Sequence, residues 1–147
     1  MEDDLIHWLE SNSITEVECL VSDMAGVPRG KIVPVKKFQS AIREQSLRLP
    51  EYVFGQMVTG NYIDSDILRE TNSDVILVPD YNGLRLVPWY REPTAQVIHD
   101  VVYHDGTPVH VSPRQVLKNV ISKFTEIGLK PVIAPELEFF LVRKESE

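Results

Sequence analysis

Apolar and polar positions along the chain repeat with two different periods, and the change of period divides it. Leu5, Ile6 and Leu9 fall on one helical face over residues 5–10; Asp3 or Asp4 is placed to cap that helix and Asn12-Ser13 ends it. From Glu16 to Asp23 the period drops to two. Val17, Cys19 and Val21 share one side and Glu16, Glu18, Leu20 and Ser22 the other, which predicts a strand with one buried face. The turn Asp23-Met24-Ala25-Gly26-Val27-Pro28-Arg29-Gly30 leads into a second short strand, Lys31 to Val35, so the two predict a β-hairpin. Phe38 to Glu44 is weakly helical, and Leu49 to Arg69 has no clear period. An irregular run of that length in a compact domain points to function or mobility.

Order returns at Asp74 to Pro79, where Val75-Ile76-Leu77-Val78 predicts a buried strand. Tyr81-Asn82-Gly83 turns the chain into Leu84 to Val87, and Thr94 to Val102 is a further strand closed by the turn Asp105-Gly106. From Val111 the period becomes helical: Ser112 caps, Pro113 takes the first position, and Val116, Leu117, Val120, Ile121 and Phe124 make one apolar face before Gly128 stops the helix. Lys130 to Val142 then reads as one long buried strand. A helix and a single strand cannot build a sheet, so this last unit reads as unfinished. The fold class predicted is α+β.

A chain of 147 residues can bury one sizeable core without staples. Its 43% hydrophobic and 25% charged content is ordinary globular usage, which disfavours disordered and fibrous classes. Fifteen basic against twenty-two acidic residues leave a charge of −7 with no basic block, so nucleic acid and anionic membranes are poor partners. One cysteine, Cys19, excludes an intrachain disulfide, and its apolar neighbours predict a buried, inert thiol. The start Met1-Glu2-Asp3-Asp4-Leu5 is acidic where a signal peptide is basic, and no apolar run approaches the ~20 residues of a membrane span. A soluble cytoplasmic protein is expected.

Chemistry concentrates at Glu136-Leu137-Glu138. In a strand, side chains two apart share a face, which puts these carboxylates ~7 Å apart. Ile133, Leu137, Phe139, Phe140, Leu141 and Val142 surround them with apolar positions. Two like charges in such a setting require neutralisation, and hard divalent cations on carboxylate oxygens supply it; a solvated strand face is the plain alternative. Gly26-Val27-Pro28-Arg29-Gly30-Lys31 has the look of a phosphate loop, but the spacing is one residue short and Ile32 stands where a metal-binding hydroxyl belongs. His99, His104 and His110 do not have zinc-site spacing. Trp8 and Trp89 are read as packing anchors.

Five motifs, in order, resemble the glutamine synthetase family. They are Asp23 to Lys31, like the family's first hairpin; Asp74-Val75-Ile76-Leu77-Val78-Pro79-Asp80; Pro88-Trp89; Ser112-Pro113-Arg114, like the start of the first catalytic-domain helix; and Ala134-Pro135-Glu136-Leu137-Glu138-Phe139-Phe140-Leu141, like the family's opening metal-binding strand. Leu49-Pro50-Glu51 and Val58-Thr59-Gly60-Asn61-Tyr62 resemble the γ-glutamylputrescine synthetase subgroup, which joins glutamate to amines other than ammonia. Ammonia-using members carry Asp-Gly-Ser-Ser in this loop, and here Thr59-Gly60 stands in place of Asp-Gly.

The resemblance implies a β-grasp-like domain over residues 1–107 and the start of a catalytic domain over residues 108–147, as the amino-terminal part of a ring-forming homo-oligomer. It also implies an ATP-dependent ligase: glutamate attacks ATP to give γ-glutamyl phosphate, and an amine such as putrescine, or ammonia, displaces phosphate. Two Mg²⁺ or Mn²⁺ ions accompany that chemistry, with Glu136 nearer ATP, Glu138 nearer glutamate, and Thr59, Gly60 and Asn61 near the amine. The isolated 147 residues are expected to be inactive. The alternatives are a true glutamine synthetase and a non-catalytic β-grasp binding module.

Overall fold

The computed structural model describes residues 2–64 and 74–143, with side chains from residue 4 onward. Expectations that rest on Met1, the side chain of Asp3, residues 65–73 or residues 144–147 lie outside the described residues. A mixed sheet with helices carries the fold, consistent with the α+β class. Strands β1 (Glu16–Ser22), β2 (Pro28–Pro34), β3 (Arg48–Pro50), β4 (Asp74–Pro79), β5 (Arg85–Leu86) and β6 (Thr94–Val102) are joined by helices α1 (Glu2–Ser11) and α2 (Val35–Arg43), and α3 (Pro113–Glu126) follows.

The sheet order is β2-β1-β6-β4-β3, with β5 also paired to β6. Central β6 runs parallel to β1 from Glu16↔Thr94 to Leu20↔Ile98. Its other edge is shared by two antiparallel partners, β5 at Arg85↔Gln96 and Leu86↔Ala95 and β4 from Pro79↔His99 to Ile76↔Val102. Its core-facing Ala95, Val97 and Val101 are buried, which accounts for the apolar alternation on that face.

The β1–β2 hairpin is built as the alternation predicts, with register from Glu16↔Pro34 to Ser22↔Pro28. Gly26 at φ +79° makes the turn. Gly30 is needed for another reason: a Cβ there would lie 1.8 Å from the Cys19 carbonyl oxygen across the hairpin. Val17, Cys19 and Val21 face the core together. Leu5 and Leu9 of α1, Phe38 and Ala41 of α2, and Val75, Leu77, Ala95, Val97 and Val101 of the sheet complete it. Helix α2 packs against β1 and β2.

Three local expectations are corrected. Helix α1 begins at Glu2, so Asp4 lies inside its first turn rather than at a cap, where a negative charge suits the positive end of the helix dipole. Trp89 is no packing anchor: it is 68% exposed in the turn before β6, tilted against the Tyr90 ring, whereas Trp8 does pack on the core. Residues 131–143 form no strand, because no described strand lies beside them to complete a ladder. Val132, Leu137, Phe140 and Leu141 are almost wholly exposed as a result.

Helix α3 is where the pattern places it, with Pro113 in its first turn and Ser112 in the N-cap position, although the Ser112 hydroxyl makes no capping bond. Gly128, at φ +74°, ends it in a Schellman arrangement: its N–H donates to Thr125 O (3.0 Å) and the Leu129 N–H to Phe124 O (2.9 Å). The apolar face of α3 is not covered by the described residues; Val116, Leu117 and Val120 are all about half exposed. The helix is fastened at its start. The Arg114 guanidinium bonds Asp80 after β4 and donates from Nε to Asp100 of β6 (2.8 Å), and Lys118 also pairs with Asp100. Burial works against ionised Asp80, but the Asn82 N–H and Arg114 outweigh it and hold the carboxyl below its usual value. Among the described residues, no helix is long and apolar enough to cross a membrane.

Candidate functional site: a tethered hairpin and a pair of exposed carboxylates

The stretch without a sequence period resolves, over residues 48–64, into short hydrogen-bonded pieces. After β3, Glu51–Gly55 winds as a 3-10 turn that inserts Phe54 fully into the core. Glu51 is buried there, and the Tyr103 hydroxyl donates to its Oε1 at 2.5 Å. Burial, together with that carboxylate, pushes the Tyr103 phenol up to about 12. The 3-10 turn is therefore fixed both by packing and by a partly buried polar contact.

Beyond it the chain doubles back in a small hairpin. Gln56 and Tyr62 form a β-bridge, the Met57 N–H donates to Asn61 O (2.7 Å), and the Gly60 N–H donates to Met57 O (2.9 Å). Gly60 supplies the left-handed corner at φ +89°. The Gln56 side-chain amide closes on Gly60 O (3.1 Å), and Tyr62 stands edge-on to Tyr52 with ring centroids 4.8 Å apart. Thr59, Gly60 and Asn61 share the exposed tip, with Val58 beside them 76% exposed. The tip thus offers a hydroxyl, an amide and open backbone, with no carboxylate in residues 56–62.

Two strands of sequence meet under this hairpin. Asp23, fully buried, accepts from the Ala25 N–H (2.9 Å) and the Val27 N–H (2.8 Å) on Oδ1, and from Arg29 Nε (2.7 Å) on Oδ2. The same guanidinium donates through its NH2 group to Met57 O at 3.4 Å, and the Met24 N–H donates to Phe54 O at 3.0 Å. Sequence reasoning read Asp23 and Arg29 only as turn residues. The available signal was an aspartate placed to accept from backbone N–H groups ahead of it, with an arginine six positions on.

Glu136 and Glu138 lie elsewhere, on the exposed segment that follows α3. Neither makes a hydrogen bond or ion pair among the described residues, and the apolar neighbours that suggested burial are themselves exposed. Both are hard oxygen donors, the kind Mg²⁺ or Mn²⁺ takes. No group of three or more potential ligands forms among the described residues, so these two carboxylates do not make a metal site by themselves. The structure therefore brings Thr59, Gly60 and Asn61 together and leaves the carboxylate pair as a separate feature. His99 is enclosed in the core against Phe38, while His104 and His110 are exposed.

Comparison with known proteins bears on both features. A family model described as the glutamine synthetase catalytic domain matches residues 110–147. A glutamate–isopropylamine ligase from Pseudomonas sp is 32% identical over 138 residues, covering 92% of this chain and 30% of that protein. A glutamine synthetase from Pyrococcus abyssi is 34% identical over 132 residues (88% and 26%), and the γ-glutamylputrescine synthetase PuuA of Escherichia coli is 31% identical over 133 residues (89% and 28%). A solved structure titled "Apo GmaS without ligand" superposes with a TM-score of 0.64 over 84% of this chain and 26% of that one, at 20% identity, which is a likeness of fold. The chain spans less than a third of the length of each of these relatives. Over that span it is similar to members of the glutamine synthetase family, and its residues 110–147 are similar to the family's catalytic domain.

Proposed function

We propose that this chain is part of an ATP-dependent glutamate–amine ligase, one that forms a γ-glutamyl amide through γ-glutamyl phosphate with an amine larger than ammonia. The observation that carries the amine is the 56–62 hairpin: Thr59, Gly60 and Asn61 form its exposed tip, with no carboxylate to bind and deprotonate ammonium. A carboxylate there favours a small cation; a hydroxyl and an amide suit a primary amine carrying an alkyl chain, with Val58 beside it as an apolar contact. Two relatives named for amine substrates support the reading.

In this reading residues 1–107 are a β-grasp-like domain that presents the hairpin as one wall of a site, and residues 108–147 open the catalytic domain. The complete protein is a cytoplasmic ring of identical subunits acting on glutamate and ATP. Glu136 and Glu138 each supply an oxygen ligand to a divalent metal. Such an ion, when bound, neutralises charge on the transferring phosphoryl group. The residues' own work is positional: the carboxylates fix the metal, and the tip of the hairpin orients the amine nitrogen toward the acyl carbon. The 147 residues alone have no ligase activity.

One observation favours a second reading, glutamine formation from ammonium: the Pyrococcus abyssi relative, named glutamine synthetase, is as similar as the amine ligases. Phosphate release from ATP by the longer protein, with glutamate plus putrescine, isopropylamine or ammonium, separates the two. Faster release with an alkylamine supports the proposal, and equal or faster release with ammonium overturns it. Glu138→Ala in the same protein is expected to abolish release and weaken metal binding; retention of both removes Glu138 from the metal site.

A further inference from the structure

The Asp23–Arg29 pair has no role in the account so far, yet its carboxylate is fully buried and every one of its contacts is a hydrogen bond to a donor of the same turn. Asp23 has no exposed side-chain surface, and three donors occupy its two oxygens. An arginine needed only to neutralise it could end there. Arg29 instead extends its second nitrogen to Met57 O, the same carbonyl that accepts the Gly60 N–H and so closes the turn at the hairpin tip. A carbonyl oxygen has two lone pairs, and here both are taken, one from within the hairpin and one from outside it. The hairpin's side chains do not hold it by burial, since Met57, Val58 and Tyr62 are all substantially exposed. Apart from the Tyr62–Tyr52 ring contact, its position therefore depends on polar links to the body of the domain.

We propose that Arg29 is a positioning residue for the 56–62 hairpin: its guanidinium, oriented by buried Asp23, holds the Met57 carbonyl and so sets where Thr59, Gly60 and Asn61 stand. The planar fork of an arginine serves two acceptors at fixed angles, and a lysine ammonium at this place reaches Asp23 but not both. That the hairpin faces the amine rests on the function proposed above; that Arg29 holds the hairpin does not.

Arg29→Lys and Arg29→Ala are compared with the unchanged chain by amide hydrogen exchange. Lysine keeps a cation beside Asp23 and so preserves the fold if alanine does not. Loss of a hydrogen bond from a charged donor predicts roughly tenfold or faster exchange at the Met57 and Gly60 amides in both variants, with Val97 and Val101 in β6 unchanged. Unchanged protection at Met57 and Gly60 in Arg29→Lys overturns the proposal, as does equal loss across hairpin and β6. In the longer protein, Arg29→Lys is then expected to raise KM for the amine by roughly tenfold while KM for glutamate stays within about twofold. Faster hairpin exchange with an unchanged amine KM upholds the tether and refutes the placing of the hairpin at the amine.

Discussion

His99 sits on the core face of β6 with its ring edge-on to Phe38 at 6.3 Å, and neither ring nitrogen makes a hydrogen bond of ordinary geometry. Burial pushes its pKa down to about 4, against weaker opposing effects from the Leu20 and Val97 backbone and Asp100. The unfolded chain binds this proton near pH 6.5, so stability is full above that value and falls as the pH drops toward 4. The shift corresponds to on the order of 3 kcal/mol. Urea unfolding at pH 7 and pH 4.5 should show the loss, and His99→Leu should remove much of it; an unaltered pH dependence in that variant contradicts the assignment. At Gly30 the expectation is steric. Gly30→Ala forces a Cβ onto the Cys19 carbonyl and is expected to destabilise by about 3 kcal/mol, measured by thermal unfolding. Cys19 behaves as its apolar neighbours predict, fully buried with burial pushing the thiol up to about 12. Glu136 and Glu138 show the limit of residue-level reading: the two-residue spacing is visible in the chain, but burial depends on what packs nearby, and spacing does not encode that.

Among the elements, those with a strong local period were legible. β4 and β6 have the predicted bounds, the hairpin falls within a few residues, and α3 has both its proline start and its glycine stop. The segment after β3 was not legible, because a 3-10 turn and a two-residue bridge are held by single hydrogen bonds such as Ile63 N–H to Gly55 O (2.9 Å), which leave no repeat of apolar positions. The segment 130–142 failed for the opposite reason: the apolar content of a buried strand is present, but among the described residues no ladder partner lies beside it. Attachment of α3 was not legible either, since Asp80, Asp100 and Arg114 meet only in the fold. All three are about three-quarters buried, so Arg114→Met, which leaves Asp100 to Lys118 and Asp80 to the Asn82 N–H, should destabilise by roughly 1–3 kcal/mol. Exchange should quicken along α3 before it does in β1; equal protection in the variant contradicts the clamp.

For the whole molecule, the described residues divide unevenly between a packed sheet domain and an apolar remainder. Val116, Leu117, Val120, Ile121 and Phe124 on α3, with Phe139, Phe140, Leu141 and Val142 beyond it, are all exposed. Apolar side chains exposed in this number favour association in water. The 147-residue chain is therefore expected to self-associate as its concentration rises, seen as an increasing mass in light scattering, and a constant monomer mass contradicts this. The family resemblance was legible in ordered motifs well before any geometry, whereas the tether between hairpin and turn was not. The central claim is that the amine is larger than ammonia, and the product tests it most directly. With glutamate, ATP, Mg²⁺ and equal concentrations of ammonium, putrescine and isopropylamine, mass spectrometry of the longer protein's products should show a γ-glutamyl alkylamide in excess; glutamine as the main product would contradict the account.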